Sequence, residues 1–201
     1  MKNKISIFLV ICLSYINLSA QTNWKLEKDK NGIKVWTRKQ VNSNLKEYKA
    51  NLVLNTSIDK LISFFRNYKL YENWMYKTDV GSLKLLKKYS DDEFVIRLTM
   101  SAPFIKTRES ITHFTINQPD NKGVVLIDLV TVPDFIPVNE KYVRIPKMNG
   151  YWKLVPIEGG KIEITHVASV NAGGNIPNGF VNLSAVDAPF SMLQKLKELI
   201  K

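Results

Sequence analysis

From residue 33 onward, apolar and polar positions repeatedly alternate with a period of two. Ile33-Lys34-Val35-Trp36-Thr37-Arg38 alternates directly after the turn signal Lys30-Asn31-Gly32. Tyr48, Ala50, Leu52 and Leu54 share one face of the next segment, with Glu47, Lys49 and Asn51 on the other. Phe94, Ile96, Leu98 and Met100 oppose Glu93, Val95, Arg97 and Thr99. Segments 109–117, 123–131, 150–156 and 161–169 also read as strands, spaced for antiparallel pairing. Two regions follow the helical period instead. Between Ser57 and Tyr68, Ser57 is placed to cap a helix, and Leu61, Ile62, Phe64 and Phe65 crowd one side. The second helix spans Pro177 to Lys201, with Pro177 suited to its first turn. Its stripe begins as Phe180, Val181, Ser184 and Ala185 and resumes as Met192, Leu193, Leu196, Leu199 and Ile200. Pro189 between them predicts a kink, because proline removes a backbone donor. The expected fold class is α+β, a curved antiparallel sheet of seven to nine strands gripping a long C-terminal helix.

The first twenty residues follow neither period. Lys2 and Lys4 form a basic head, Ile5 to Leu13 is apolar apart from Ser6, and Leu18-Ser19-Ala20 ends on a small residue. That layout predicts a secretory signal peptide over 1–20 and an exported protein, periplasmic or secreted. The apolar stretch is short for a membrane span, which needs about 20 residues. Ile11 stands where a lipoprotein would carry a small residue before Cys12. Cleavage after Ala20 removes Cys12, the single cysteine, and two lysines, taking the net charge from +11 to +9. The remaining 21–201 shows no Ser/Gly linker, low-complexity tract or repeat and reads as one domain. It is expected to be monomeric and must hold its fold by core burial alone.

Several local motifs, in order, resemble the START (StAR-related lipid-transfer) family of the Bet v 1-like helix-grip superfamily. Asn31-Gly32-Ile33-Lys34-Val35-Trp36-Thr37-Arg38 resembles the family's opening strand, and Tyr71-Glu72-Asn73-Trp74 its segment after the first helix. Ala102-Pro103-Phe104 with Arg108-Glu109 is similar to its "P.p...RD" segment, with Glu for the usual Asp. Val143-Arg144-Ile145 followed by Gly150-Tyr151-Trp152-Lys153-Leu154-Val155-Pro156 resembles its later strand pair. Gly173-Gly174-Asn175-Ile176-Pro177 with Phe180-Val181-Asn182 is similar to the entry to its last helix. Phe114 stands where sterol-binding relatives carry an arginine, which argues against sterol specificity and for a more apolar cavity.

The resemblance implies one hydrophobic ligand, a lipid, held between sheet and last helix. The residues expected to line or cover that space are Leu52, Trp74, Leu98, Met100, Arg108, Ile127, Leu129, Trp152, His166, Phe180 and Ser184, with Phe135, Ile136 and Val138 as lid. The lid lies in Thr131-Val132-Pro133-Asp134-Phe135-Ile136-Pro137-Val138, whose two prolines discourage strand pairing and whose apolar tip suits transient contact with a membrane. Arg108 is expected either beside a ligand head group or in an ion pair with an acid; His166 either hydrogen-bonds a ligand oxygen or is a satisfied core histidine. His113 reads as structural, and Asp128 and Glu163 as solvent-facing. Burying an acyl chain yields about 0.8 kcal/mol per CH₂, so eight methylenes give roughly 6 kcal/mol before ordering costs.

Composition narrows the rest. With two histidines, His113 and His166, neither a metal site nor a cofactor is expected. No Gly-x-Ser-x-Gly, phosphate loop or His-x-x-x-His occurs, so the chain is read as non-catalytic. The alternative is a cyclase- or aromatase-type enzyme acting in the same cavity. The 29 Lys+Arg against 18 Asp+Glu favour approach to anionic head groups. No Arg-rich helix, finger spacing or aromatic-basic RNA motif points to nucleic acid.

Overall fold

A computed structural model describes residues 23–40, 45–176 and 178–200; the expected signal segment and Pro177 lie outside the described residues. Ten strands form one sheet: β1 (Lys25–Lys30), β2 (Ile33–Lys39), β3 (Lys46–Asn55), β4 (Lys84–Lys88), β5 (Glu93–Ala102), β6 (Ile105–Ile116), β7 (Val125–Thr131), β8 (Val143–Arg144), β9 (Lys147–Ile157) and β10 (Lys161–Asn171). Their order is β1-β2-β3-β10-β9-β7-β6-β5-β4, antiparallel throughout, and β8 pairs in parallel with β6. The sheet is not closed; β1 and β4 are its edges.

The seven alternating segments of the sequence are β2, β3, β5, β6, β7, β9 and β10. The sheet exceeds the expected seven to nine strands because β1, β4 and β8 carry no usable pattern. β1 reads KLEKDK and β4 reads KLLKK, both largely exposed, and β8 has two residues. β1 and β4 form by pairing with β2 and β5, and their lysines blunt the open edges against pairing with another chain.

α1 (Ile58–Arg66) begins where expected. The Ser57 hydroxyl accepts the Lys60 N–H, Asp59 lies in the first turn and Arg66 in the last, matching the helix dipole. Its buried face is Leu61, Ile62, Phe64 and Phe65. A 3₁₀ turn over Tyr68–Leu70 and the short α2 (Tyr71–Trp74) follow, unforeseen because each is under two turns long. α3 (Asn178–Leu199) runs as one element through Pro189, where a kink was expected. Burial of Met192, Leu193, Leu196 and Ile200 beyond the proline offsets the lost backbone bond.

α3 rests mainly on β2, β3 and α2, toward one side of the sheet. The continuous core lies under its C-terminal half. There Met192, Leu193, Leu196 and Ile200 meet Ile33, Val35, Leu52, Leu154 and Ile164, together with α1 and α2. Tyr48, Ala168 and Ala185 form a separate small cluster under its N-terminal half.

One glycine is fixed by packing. Gly150 of β9 sits between Leu129 of β7 and Ala168 of β10. A Cβ there would lie 2.6 Å from both the Ala168 Cβ and the Val167 carbonyl oxygen. Gly150→Ala therefore forces the β9–β10 pair apart and should lower stability by about 1–3 kcal/mol, measured as a shift of the urea midpoint at unchanged slope.

Candidate functional site

The candidate site is the inner face of the sheet beneath α3. Register decides which side chains share it. His166 of β10 pairs with Ala50 and Trp152, Ala168 with Tyr48 and Gly150, and Ile164 with Leu52 and Leu154. Ile127 of β7 pairs with Trp152 and Ile116, and Leu129 with Phe114 and Gly150. On β5 and β6, Phe94 pairs with Phe114, Ile96 with Thr112, Leu98 with Ser110 and Met100 with Arg108. The eight residues that the alternation sets on one face of β3 and β5 lie here, all buried except Leu54 and Met100, which are half-buried.

An aromatic plug fills one end. Trp74 contacts Phe65 at 5.8 Å between ring centroids and Trp152 at 5.6 Å. Trp152 meets Phe65 at 5.3 Å, Tyr71 meets Phe114 at 5.1 Å, and Phe94 stacks on Phe114 at 5.5 Å. The Tyr71 hydroxyl donates to the Phe65 carbonyl at 2.7 Å, which ties α2 to α1 and satisfies the phenol. Burial pushes the Tyr71 phenol well above its usual range. Sequence reasoning found Trp74 and Trp152 but missed Tyr71 and Phe65 as their partners, since nothing in a linear pattern brings α1 and α2 onto β9.

Toward the other end the inner face carries small and polar residues, Ser110, Thr112, Thr131 and Ala168 buried and Gly150 half-buried, beside the half-buried Met148. His166 stands between the two zones. Its ring stacks on Trp152 at 3.8 Å, and Nε2 lies 3.5 Å from the Tyr48 hydroxyl. Nδ1 is buried without a partner. Desolvation lowers its pKa to about 3, so the imidazole is neutral at physiological pH.

Arg108 and Glu109, adjacent in sequence, face opposite sides of β6. Arg108 points with Ser110 and Thr112 to the inner side, where it donates to the carbonyls of Lys106 and Gly173. It makes no ion pair with a carboxylate among the described residues; the acid that does pair is its neighbour. Glu109 accepts from Arg97 Nε at 2.8 Å and from Arg144 Nε at 2.9 Å, all three groups being largely buried. Arg144 also donates to the carbonyls of Pro133, Ile136 and Pro137. The 132–145 loop follows β7 and is held to β6 at both ends, by the Val132 N–H to Ile111 carbonyl bond and by the Ile145 N–H to Glu109 carbonyl bond. The loop is thus a closed Ω whose neck is held by one carboxylate. The proposed lid residues sit on it: Ile136 half-buried, Phe135 40% exposed and Val138 64% exposed.

Two other segments meet this loop. The Lys106 ammonium of the β5–β6 hairpin donates to the Glu140 carbonyl. Gly173, at the entry to α3, packs against Arg144, Val143 and Pro146. The hairpin tip carries Phe104, fully exposed with φ +65°, and the first turns of α3 carry Phe180 and Leu183, about two-thirds exposed. Ser184 is half-buried, but its hydroxyl is engaged by the Phe180 carbonyl of its own helix. Of the expected residues, then, Leu52, Trp74, Leu98, Ile127, Leu129, Trp152 and His166 lie on the buried inner face. Met100 and Arg108 lie at its polar end, and Phe135, Ile136, Val138 and Phe180 stand at the rim.

This architecture has close counterparts. A crystal structure of the STAR-related lipid transfer protein from Xanthomonas axonopodis superposes with a TM-score of 0.80 at 31% identity, covering 88% of this chain and 98% of that one. The chain belongs to the START family. Human STARD10 shares the fold at 18% identity and a TM-score of 0.74, over 88% of this chain and 72% of its own. An uncharacterized protein of Pseudomonas aeruginosa is 29% identical over 176 residues, 87% of this chain and 85% of that one. The aromatase/cyclase Zhui from a Streptomyces shares the fold alone, at 12% identity and a TM-score of 0.53. No family model matches the chain.

Two outcomes follow from the site's electrostatics. Glu109→Ala leaves two buried guanidinium groups unpaired and should cost about 3–5 kcal/mol; limited proteolysis should then cut within 133–142 faster than elsewhere. His166 has a folded pKa below its unfolded value, so the unfolded chain binds the extra proton and stability falls as pH drops below about 6.5. Between pH 7 and pH 5 this group should remove roughly 2 kcal/mol, a loss that His166→Phe should abolish in paired denaturant titrations.

Proposed function

We propose that the protein is an exported, non-catalytic lipid-binding module that holds one hydrophobic molecule between the sheet and α3, for carriage or sequestration. The observation that carries this reading is the division of the inner face. A solid aromatic and aliphatic core occupies the end under the C-terminal half of α3, and small and hydroxyl-bearing residues line the other end, while the neighbouring 132–145 loop and the start of α3 carry exposed apolar groups. Ligand sites of this kind are apolar with a few placed polar groups. The relationship to a lipid transfer protein at 31% identity supports the same reading.

The absence of catalysis in this reading draws on His166. A general base works best with a pKa near the operating pH, and this imidazole is held at about 3. Among the described residues no cluster of His, Cys, Asp and Glu is arranged to hold a metal ion. Transient membrane contact through Phe104, Phe135, Val138 and Phe180 fits the rim, with Lys106 and Lys141 beside it to meet anionic head groups. Export rests on residues 1–20.

Expression of the full chain in a Gram-negative host, followed by organic extraction and mass spectrometry of the periplasmic fraction, tests both parts. The expected result is a protein starting at Gln21 that releases lipid in roughly equimolar amount. A protein that stays uncleaved in the cytoplasm overturns the export reading. One that releases no lipid and takes up no fluorescent acyl probe overturns the binding reading.

A further inference from the structure

The inner row of β6 changes chemistry along its length. Ile116 and Phe114 are apolar, whereas Thr112, Ser110 and Arg108 are polar, and all five are buried. The period of two puts them on one face. The opposing β5 positions, Ile96, Leu98 and Met100, are wholly apolar. On the β7 side Thr112 is paired with Thr131. The hydroxyls of Ser110 and Thr112 lie 2.7 Å apart, and the Thr131 hydroxyl accepts the Met148 N–H at 2.8 Å. Three buried hydroxyls therefore run along an otherwise apolar wall and end at a cation.

Among the described residues no carboxylate pairs with that cation. Arg108 is 7% exposed, its acceptors are two neutral carbonyls, and its Nε has no partner. Glu109, one residue on, is turned to the other face and held by Arg97 and Arg144. Desolvation pulls the Arg108 pKa down, the mark of a charge buried without compensation. Arginine nevertheless keeps its proton in proteins, so the site carries a standing positive charge in a low-dielectric wall. A guanidinium fork matches carboxylate and phosphate oxygens, and the Ser110–Thr112 pair keeps one hydroxyl proton to donate, while the Thr131 hydroxyl is engaged by the Met148 backbone.

Building on the proposed hydrophobic cargo, we propose that Arg108, with the Ser110–Thr112–Thr131 hydroxyl row, receives the anionic head of an acyl lipid, a carboxylate or phosphate ester, whose tail runs along Leu98 and Leu129. The cargo is thereby narrowed to ionised amphiphiles over neutral ones.

Displacement of a fluorescent acyl probe from the purified protein, at mildly alkaline pH, tests this with three ligands of one chain length: palmitate, hexadecyl phosphate and hexadecanol. Both anions should bind about tenfold or more tighter than the alcohol, and Arg108→Met should erase that preference. Equal affinities in the wild type, or a preference that survives Arg108→Met, overturn the proposal and leave the cargo reading standing. Failure of all three ligands to bind overturns the cargo reading itself. Displacement by millimolar inorganic phosphate as complete as by hexadecyl phosphate makes the site one for free anions and refutes the lipid head. Thermal melts confirm that each variant is folded. If Arg108→Met is not, Arg108→Lys and Thr112→Val should each reduce the anion preference about threefold, and no reduction in either refutes the assignment.

Discussion

A broad sheet presents more apolar wall than one helix can cover. Sheets and helices bury their apolar faces against one another, and a single helix about 10 Å across spans only two or three strands. Here α3 lies on β2 and β3, which leaves the inner faces of β9, β7, β6 and β5 to find other cover. The chain meets that demand unequally. α1 and α2 bring Phe65, Tyr71 and Trp74 onto Trp152 and Phe114 at one end. At the other end the wall carries small and hydroxyl side chains, and the 132–145 loop returns beside it to pair with β6.

The roof depends on one carboxylate. Glu109 is buried with two guanidinium groups, and Arg144 links it to three carbonyls of the 132–145 loop. A charged triad in a buried position is rarely the most stabilising solution, but breaking it is severe because it leaves a buried charge unpaired. Its effect here is geometric. It returns the loop to β6 beside the point of departure and sets Val143 and Arg144 against Gly173 at the start of α3. The alternation of β6 makes this compatible with binding: one residue earlier, Arg108 faces inward and lacks the acid that Glu109 has given to its neighbours.

Much of this was legible along the chain. Most of the seven long strands announced themselves by an apolar row of period two on the inner face, although β5 and β6 also bury Val95 and Ile111 on the other, and α1 did so because Ser57 caps a stripe of Leu61, Ile62, Phe64 and Phe65. β1, β4 and β8 were not legible: two are lysine-rich edges and the third has two residues, and all three exist only through their partners. Pro189 lies inside α3, and the turns beyond it are anchored in the core by Met192, Leu193, Leu196 and Ile200. Arg108 left two readings open; among the described residues the ion pairs with an acid on β6 are made by Glu109 with Arg97 and Arg144.

Sequence alone determined the strands, the two principal helices and the inward set, because periods of two and 3.6 are local consequences of burying one face. Tertiary structure alone decided that α3 lies to one side of the sheet and that Trp74 meets Trp152. It also decided that Arg144 reaches from Glu109 to the loop, and that Arg108 stays without an acid. These are contacts between residues far apart in the chain. They are set by sheet register and by which surfaces remain uncovered once the helix has docked, and no local pattern encodes either.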